Sequence, residues 1–240
     1  MHPALEAWNR FYQRFRRWQE HTREPGLSAL LVIEATLLFV VTPFTGVGLL
    51  PSFVPPMVYM LFVLATLVVT SRSHLAAGIV LISVILSTVG IIIHTDYPSV
   101  FTEWLSAGGR LLAISALSVV IAKAVFGPGR VTMHRVQGAI VLYFNFALFF
   151  FTLYQLVNVL VADAFSGLPA TGAEYGSGAA LLYFSFGTLS TAGFGDIKPI
   201  YPIARNLANL EAIIGQLFPA TLLARLVSLE IDHRKSSNND

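Results

Sequence analysis

The sequence predicts an all-helical protein built into a membrane, and three observations carry that reading. Of its 240 residues, 55% are apolar and only 12% charged, about half the charged share of a water-soluble chain, and the mean hydropathy is +0.69. Uncharged runs long enough to cross a bilayer recur along the chain. The basic residues between them fall almost entirely in alternate loops. This composition excludes disorder, collagen and coiled coil. A net charge of +2 without a basic face outside the N-terminus argues against nucleic-acid partners. With no cysteine, disulfides, zinc thiolates and cysteine nucleophiles are excluded.

A spanning helix needs about 20 mostly apolar residues. Runs of that kind lie at about 27–44, 53–71, 75–93, 108–125, 136–161 and 203–229, giving six expected spans. A seventh apolar piece, 178–189, is too short to cross about 30 Å at 1.5 Å per residue, so it is expected to enter and leave on one side. Residues 1–26 are aromatic and arginine-rich rather than a signal peptide. Within them Trp8, Phe11, Phe15 and Trp18 recur at helical spacing, interleaved with Arg10, Arg14 and Arg17. Two readings stand: an amphipathic interfacial helix that meets anionic lipid, or juxtamembrane charge that fixes topology.

Arg10, Arg14, Arg16, Arg17, Arg23, Arg72, Lys123, Arg130, Arg135, Arg225, Arg234 and Lys235 share one side of the expected topology, leaving Arg110, Lys198 and Arg205 on the other. By the positive-inside rule both termini are cytoplasmic, and the form suits a bacterial inner membrane. The organisation follows: residues 1–26 at the interface, a four-helix membrane domain at 27–130, a second membrane unit at 131–231, and a short polar tail at 232–240.

The informative motif follows the fifth span. A glycine-rich stretch leads to Leu181-Leu182-Tyr183-Phe184-Ser185-Phe186-Gly187-Thr188, then Leu189-Ser190-Thr191-Ala192-Gly193-Phe194-Gly195-Asp196, and the sixth span begins almost at once. These residues, in this order of elements, resemble the pore module of potassium channels, specifically bacterial members with a two-transmembrane pore, whose filter reads Thr-x-Gly-Tyr/Phe-Gly-Asp. The resemblance covers roughly 136–231. It implies a re-entrant pore helix and a selectivity filter in which carbonyls of Thr191, Ala192, Gly193 and Phe194, with the Thr191 hydroxyl, hold K⁺.

The residue types suit that role. A backbone whose carbonyls face one axis alternates between left- and right-handed conformations, which Gly193 and Gly195 permit at no steric cost. The C-terminus of the half-helix, near Thr188, turns its negative dipole end inward, with Thr188 and Ser190 supporting the filter. Asp196 either concentrates cations at the outer mouth or caps the glycine turn. Ala192 stands where relatives have Val or Ile, which loosens packing behind the filter. Phe194 stands for Tyr and is expected to pair with Phe184 as an apolar cuff. A chain with one such loop closes a ring only as a homotetramer.

In the sixth span Gly215 and Pro219 are hinge candidates, with close packing as the alternative for Gly215. Gln216 and Thr221 are cavity candidates, and Glu211 is expected to buttress the pore. Glu34 is the one acid well inside the first four spans: a candidate titrating group, or a carboxyl hydrogen-bonded to Thr36, Thr66 or Ser83. The fourth span has only Arg110 and Lys123, read as anchors at its two ends, so steep voltage sensing is not expected. No HExxH, GxSxG, Walker or metal-ligand spacing occurs, which points away from an enzyme and from any organic cofactor. The expected function is a passive K⁺-selective channel. A weakly selective cation channel and a non-conducting, channel-like accessory subunit are the alternatives.

Overall fold

A computed structural model describes residues 26–46, 49–51, 54–71, 74–97, 99–127, 132–169 and 176–237. The expected interfacial helix, the basic residues Arg10 to Arg23, Arg72 and Arg130, and the centre of the glycine-rich stretch lie outside these residues. The rest is almost wholly helical: α1 Gly26–Thr45, then α2 Val54–Thr70, α3 His74–Asp96, α4 Val100–Val125, α5 Met133–Leu160, α6 Ser177–Leu189 and α7 Pro202–Ser237. Two short strands, β1 Phe165–Ser166 and β2 Lys198–Pro199, pair antiparallel.

Among the described residues, four helices are long and apolar enough to cross a membrane: α1, α4, α5 and the Pro202–Ser228 part of α7. α2 and α3 occupy the second and third expected spans, but their apolar stretches, Met57–Thr70 and Leu75–Gly90, are shorter. The fold is thus that of an all-α membrane protein. α6 has 13 residues, about 20 Å of helix, as its short apolar run predicts.

Local chemistry explains the irregular points. In α1 the ladder widens to a π-turn over Leu37–Val41, where the Thr42 N–H and hydroxyl both donate to Leu37 O. The next residue, Pro43, has no N–H for the carbonyl of Phe39, and the preceding turn takes up the slack. α4 starts eight residues before the expected 108, at a capping box in which Ser99 and Thr102 satisfy each other's backbone N–H. Its first turns look polar by hydropathy, yet Thr102, Ser106 and Gly109 are buried against α3. A Cβ on Gly109 would lie 2.7 Å from Ser83 O and Ser87 N, so the small residues there permit backbone-to-backbone packing. Arg110 therefore sits ten residues, about 15 Å, inside α4 rather than at its end. α7 likewise continues as helix to Ser237, into the stretch expected as a short polar tail.

Two apolar clusters hold the helices together. One joins Leu27 and Leu30 of α1 to Leu117, Ile121 and Val125 of α4 and to Ala139, Val141 and Leu142 of α5. The other gathers Phe150 and Tyr154 of α5, Phe165 of β1, Ala180 and Leu181 of α6, Ile197 just before β2, and Ala204 of α7. The second cluster surrounds the motif.

Candidate functional site

α6 ends where the motif begins, and its terminus is fully satisfied. The last four carbonyls of a helix lack intrahelical donors. Here Phe186 O accepts from Ser190 N–H at 3.0 Å and from its hydroxyl at 2.7 Å, Gly187 O from Gly193 N–H at 3.1 Å, and Thr188 O from Thr191 N–H at 2.9 Å. Leu189 O accepts from the Tyr143 hydroxyl of α5 at 3.1 Å. Residues 191 to 193 are thus folded back onto the half-helix through its own orphan groups.

Beyond it the backbone alternates. Thr191, Gly193 and Gly195 have φ of 58°, 56° and 80°, while Ala192 and Phe194 are not in the left-handed region. The glycines reach that region without steric cost. Thr191, β-branched, does so against its preference, and its glycine-free letter gave no sign of it. A Cβ on Gly193 would meet nothing within 4 Å, so that position requires its conformation rather than its space. Thr191 through Asp196 are exposed on the single chain.

The aromatic partner of Phe194 differs from expectation by one residue. Phe194 stacks on Tyr183, with centroids 5.3 Å apart and planes 13° off parallel, and its ring lies over Gly187. Tyr183 and Gly187 are four residues apart and so share one face of α6. Phe184, about 100° further round, packs instead on Tyr154 at 5.1 Å and Phe165 at 5.6 Å. The Tyr183 hydroxyl also faces the Asp196 carboxylate. Asp196 is held from behind as well: β1 and β2 stitch the loop after the motif to the end of α5, Ala164 O accepts from Ile200 and Tyr201 N–H at 2.8 and 3.1 Å, and Gly167, φ 83°, leaves room for Asp196 O.

Glu211 of α7 is fully buried. Its carboxylate accepts from the hydroxyls of Tyr154 on α5 and Ser185 on α6, and Ser185 also reaches Ala147 O at 2.8 Å. The acid thus ties three helices together behind the motif, as its expected buttressing role requires. Neither Tyr154 nor Ser185 stood out in sequence, since their partners are distant along the chain.

Further down α7, Pro219 has no N–H for the carbonyl of Gly215, its i−4 residue. A Cβ on Gly215 would collide with the backbone of Leu189, lying 2.7 Å from its carbonyl carbon, so this glycine lets α7 touch the end of α6. Gln216 and Thr221 are exposed on the single chain, with the Thr221 hydroxyl donating to Leu217 O at 2.9 Å. Glu34 is buried in α1, and neither carboxylate oxygen has a hydrogen-bond partner among the described residues. Thr36 and Ser83 donate instead to their own helices, to Val32 O and Ile79 O.

Residues 138–231 match the family model described as Ion channel. The chain is 39% identical over 67 residues to the inward rectifier potassium channel Kirbac3.1 of Paramagnetospirillum magnetotacticum, covering 27% of this chain and 23% of that protein. It is 42% identical over 53 residues to protein LctB of Bacillus caldotenax, covering 22% of this chain and 38% of that one. The matches therefore span well under half the length of either relative. No solved structure matches. With the half-helix, the alternating segment and most of both flanking helices inside the matched stretch, the chain carries in residues 138–231 the pore module of the ion-channel family.

Proposed function

We propose that this chain is one subunit of a homotetrameric channel that passes K⁺ down its electrochemical gradient. The observation that carries the reading is the alternation of left-handed φ at Thr191, Gly193 and Gly195 directly after a half-helix, the backbone that a carbonyl-lined path demands. Carbonyls of Thr191 to Phe194 and the Thr191 hydroxyl replace the ion's hydration shell. Asp196 draws cations to the mouth, and Gln216 and Thr221 face the inner path. Irregular backbone at membrane depth is tolerated only beside water or within protein, and four copies around an axis supply that setting. The uncovered face of α7, with exposed Leu210, Ile213 and Leu217, is the surface on which such copies meet.

In this reading the chain crosses the membrane six times with both termini on the cytoplasmic side. Residues 27–130 form a domain outside the pore, 131–231 form the pore, and the basic N-terminal segment meets anionic lipid. A likeness to a potassium channel supports K⁺ as the ion. Ala192 supports a second reading, weak selectivity, because its small side chain packs less behind its ring; bi-ionic reversal potentials for K⁺ and Na⁺ separate the two.

The direct test is K⁺ flux into liposomes. Gly193→Ala and Gly195→Ala force a Cβ into left-handed backbone and are expected to abolish flux while leaving the oligomer intact. Unchanged flux in both variants refutes the assignment.

A further inference from the structure

Where the N-terminal helices α2, α3 and α4 pack on α5, the structure holds a second constellation of polar atoms. Asn145 of α5 is 1% exposed, and neither its Oδ1 nor its Nδ2 has a hydrogen-bond partner among the described residues. Thr66 Oγ1 on α2 and Nε and Nη2 of Arg110 on α4 are likewise buried atoms without a hydrogen-bond partner among the described residues. Arg110 Nη2 lies 3.6 Å from Glu103 Oε1, close enough to offset its charge and too far for a hydrogen bond. All three side chains line one cavity of about 170 Å³ between α2, α3, α4 and α5, whose remaining wall is mostly apolar and includes Phe62, Leu148 and Phe151. Buried polar groups are normally paired, and five atoms left over around one apolar space mark a place where something else supplies the partners.

The inventory of those atoms defines what fits. Arg110 Nε and Nη2 and Asn145 Nδ2 only donate, Asn145 Oδ1 only accepts, and the Thr66 hydroxyl does either. A ligand hydroxyl that accepts from one guanidinium N–H and from the Asn145 amide N–H, and donates to Asn145 Oδ1, satisfies three of the five atoms. An anion is disfavoured, because Arg110 is already offset by Glu103 and a further negative charge would be buried without a counter-charge. The apolar wall requires a hydrocarbon body, and the volume limits it to a few carbons. We propose that this cavity is a binding site for a small uncharged amphiphile of the alcohol class, its hydroxyl on Arg110 and Asn145 and its hydrocarbon against Phe62, Leu148 and Phe151. The proposal does not depend on which ion the pore passes.

The test uses the purified full chain and a diazirine-bearing hexanol, photolysed and mapped by mass spectrometry. Adducts are expected on Phe62, Leu148 or Phe151, competed by excess hexanol, and reduced at least tenfold in Asn145→Leu, which keeps the side-chain volume and removes both amide atoms. Thr66→Val, a smaller change, is expected to reduce labelling less. Equal labelling in Asn145→Leu, equal labelling by a diazirine alkane without the hydroxyl, or adducts confined to lipid-facing residues would each overturn the proposal. Absence of labelling would overturn it too, leaving water as the partner of these atoms.

Discussion

Glu211 offers the sharpest test of how the pore wall is held. The acid is fully buried and receives hydrogen bonds from Tyr154 and Ser185. Glu211→Ala removes both bonds. Ser185 keeps Ala147 O at 2.8 Å, but the Tyr154 hydroxyl, itself fully buried, loses its acceptor at a cost of about 1–3 kcal/mol. The space left by four heavy atoms adds about 2–3 kcal/mol if the site does not collapse. Together Glu211→Ala is expected to cost roughly 3–6 kcal/mol per subunit, with K⁺ flux lost as α5, α6 and α7 part. Tyr154→Phe strands only one carboxylate oxygen and should cost about 1–3 kcal/mol.

Glu211→Gln separates geometry from charge. Ser185 has one hydroxyl hydrogen and faces two acceptors, Ala147 O and Glu211 Oε1, so an ionised Glu211 leaves one of the three bonds unmade. An amide makes all three: its N–H donates to Ser185 Oγ, Ser185 donates to Ala147 O, and its oxygen accepts from Tyr154. The expected change for Gln is therefore below about 1 kcal/mol, with flux retained. Thermal unfolding of the purified protein, alongside liposome flux, measures both. If Gln costs as much as Ala, a negative charge rather than the hydrogen-bond frame holds this wall, and the argument fails. If Ala is tolerated, Glu211 is no strut.

Three further outcomes are expected. Gly215→Ala places a Cβ against the backbone of Leu189, which cannot yield as a side chain would, and should cost about 1–3 kcal/mol in thermal unfolding; a neutral result would show α7 free to move off α6. Glu34→Leu removes two buried oxygens without partners among the described residues and should raise stability by about 1–3 kcal/mol, read by the same melt, whereas a loss would mean that Glu34 is engaged. Tyr183→Phe keeps the stack on Phe194 but removes the hydroxyl that faces Asp196. Its flux should survive in high K⁺ and decline faster than wild type when external K⁺ is lowered, and Tyr183→Ala should be worse in both conditions because the stack goes as well; equal behaviour of the two variants would show that the ring contact contributes nothing.

The legible parts of this chain are those in which a letter constrains backbone. Gly193 and Gly195 could be assigned to left-handed positions because glycine alone is free there, and a short apolar run could be assigned to a half-helix because length alone limits what it spans. Side-chain partners were less legible, since each depends on rotation about a helix axis. One residue is about 100° of rotation, and that step separates Phe184, placed against Phe194 by its letter, from Tyr183, which stacks there.

A second limit concerns what hydropathy takes to be a loop. Thr102, Ser106, Ala107 and Gly109 are small or polar, and on transfer energies alone they end a span. In the fold these residues are the contact surface of α4 on α3, where close backbone approach replaces apolar burial as the source of packing. Once those turns are helical, Arg110 moves about 15 Å into the helix, and an apparent anchor becomes part of the wall of the cavity that Asn145 also lines. The charge count that argued against voltage sensing is unaffected, because one arginine per subunit carries at most about 2.3 kcal/mol per 100 mV. Its consequence for the N-terminal helices does change: a cation placed along the bundle needs a counter-charge there, and Glu103 at 3.6 Å supplies the charge without a hydrogen bond. Glu34 and Arg110 thus pose the same physical problem in two adjoining spaces, which share Tyr59, Phe62, Leu148 and Phe151 as walls. A change in how either group is satisfied must act on α5, the helix that also caps α6 through Tyr143 and holds Glu211 through Tyr154.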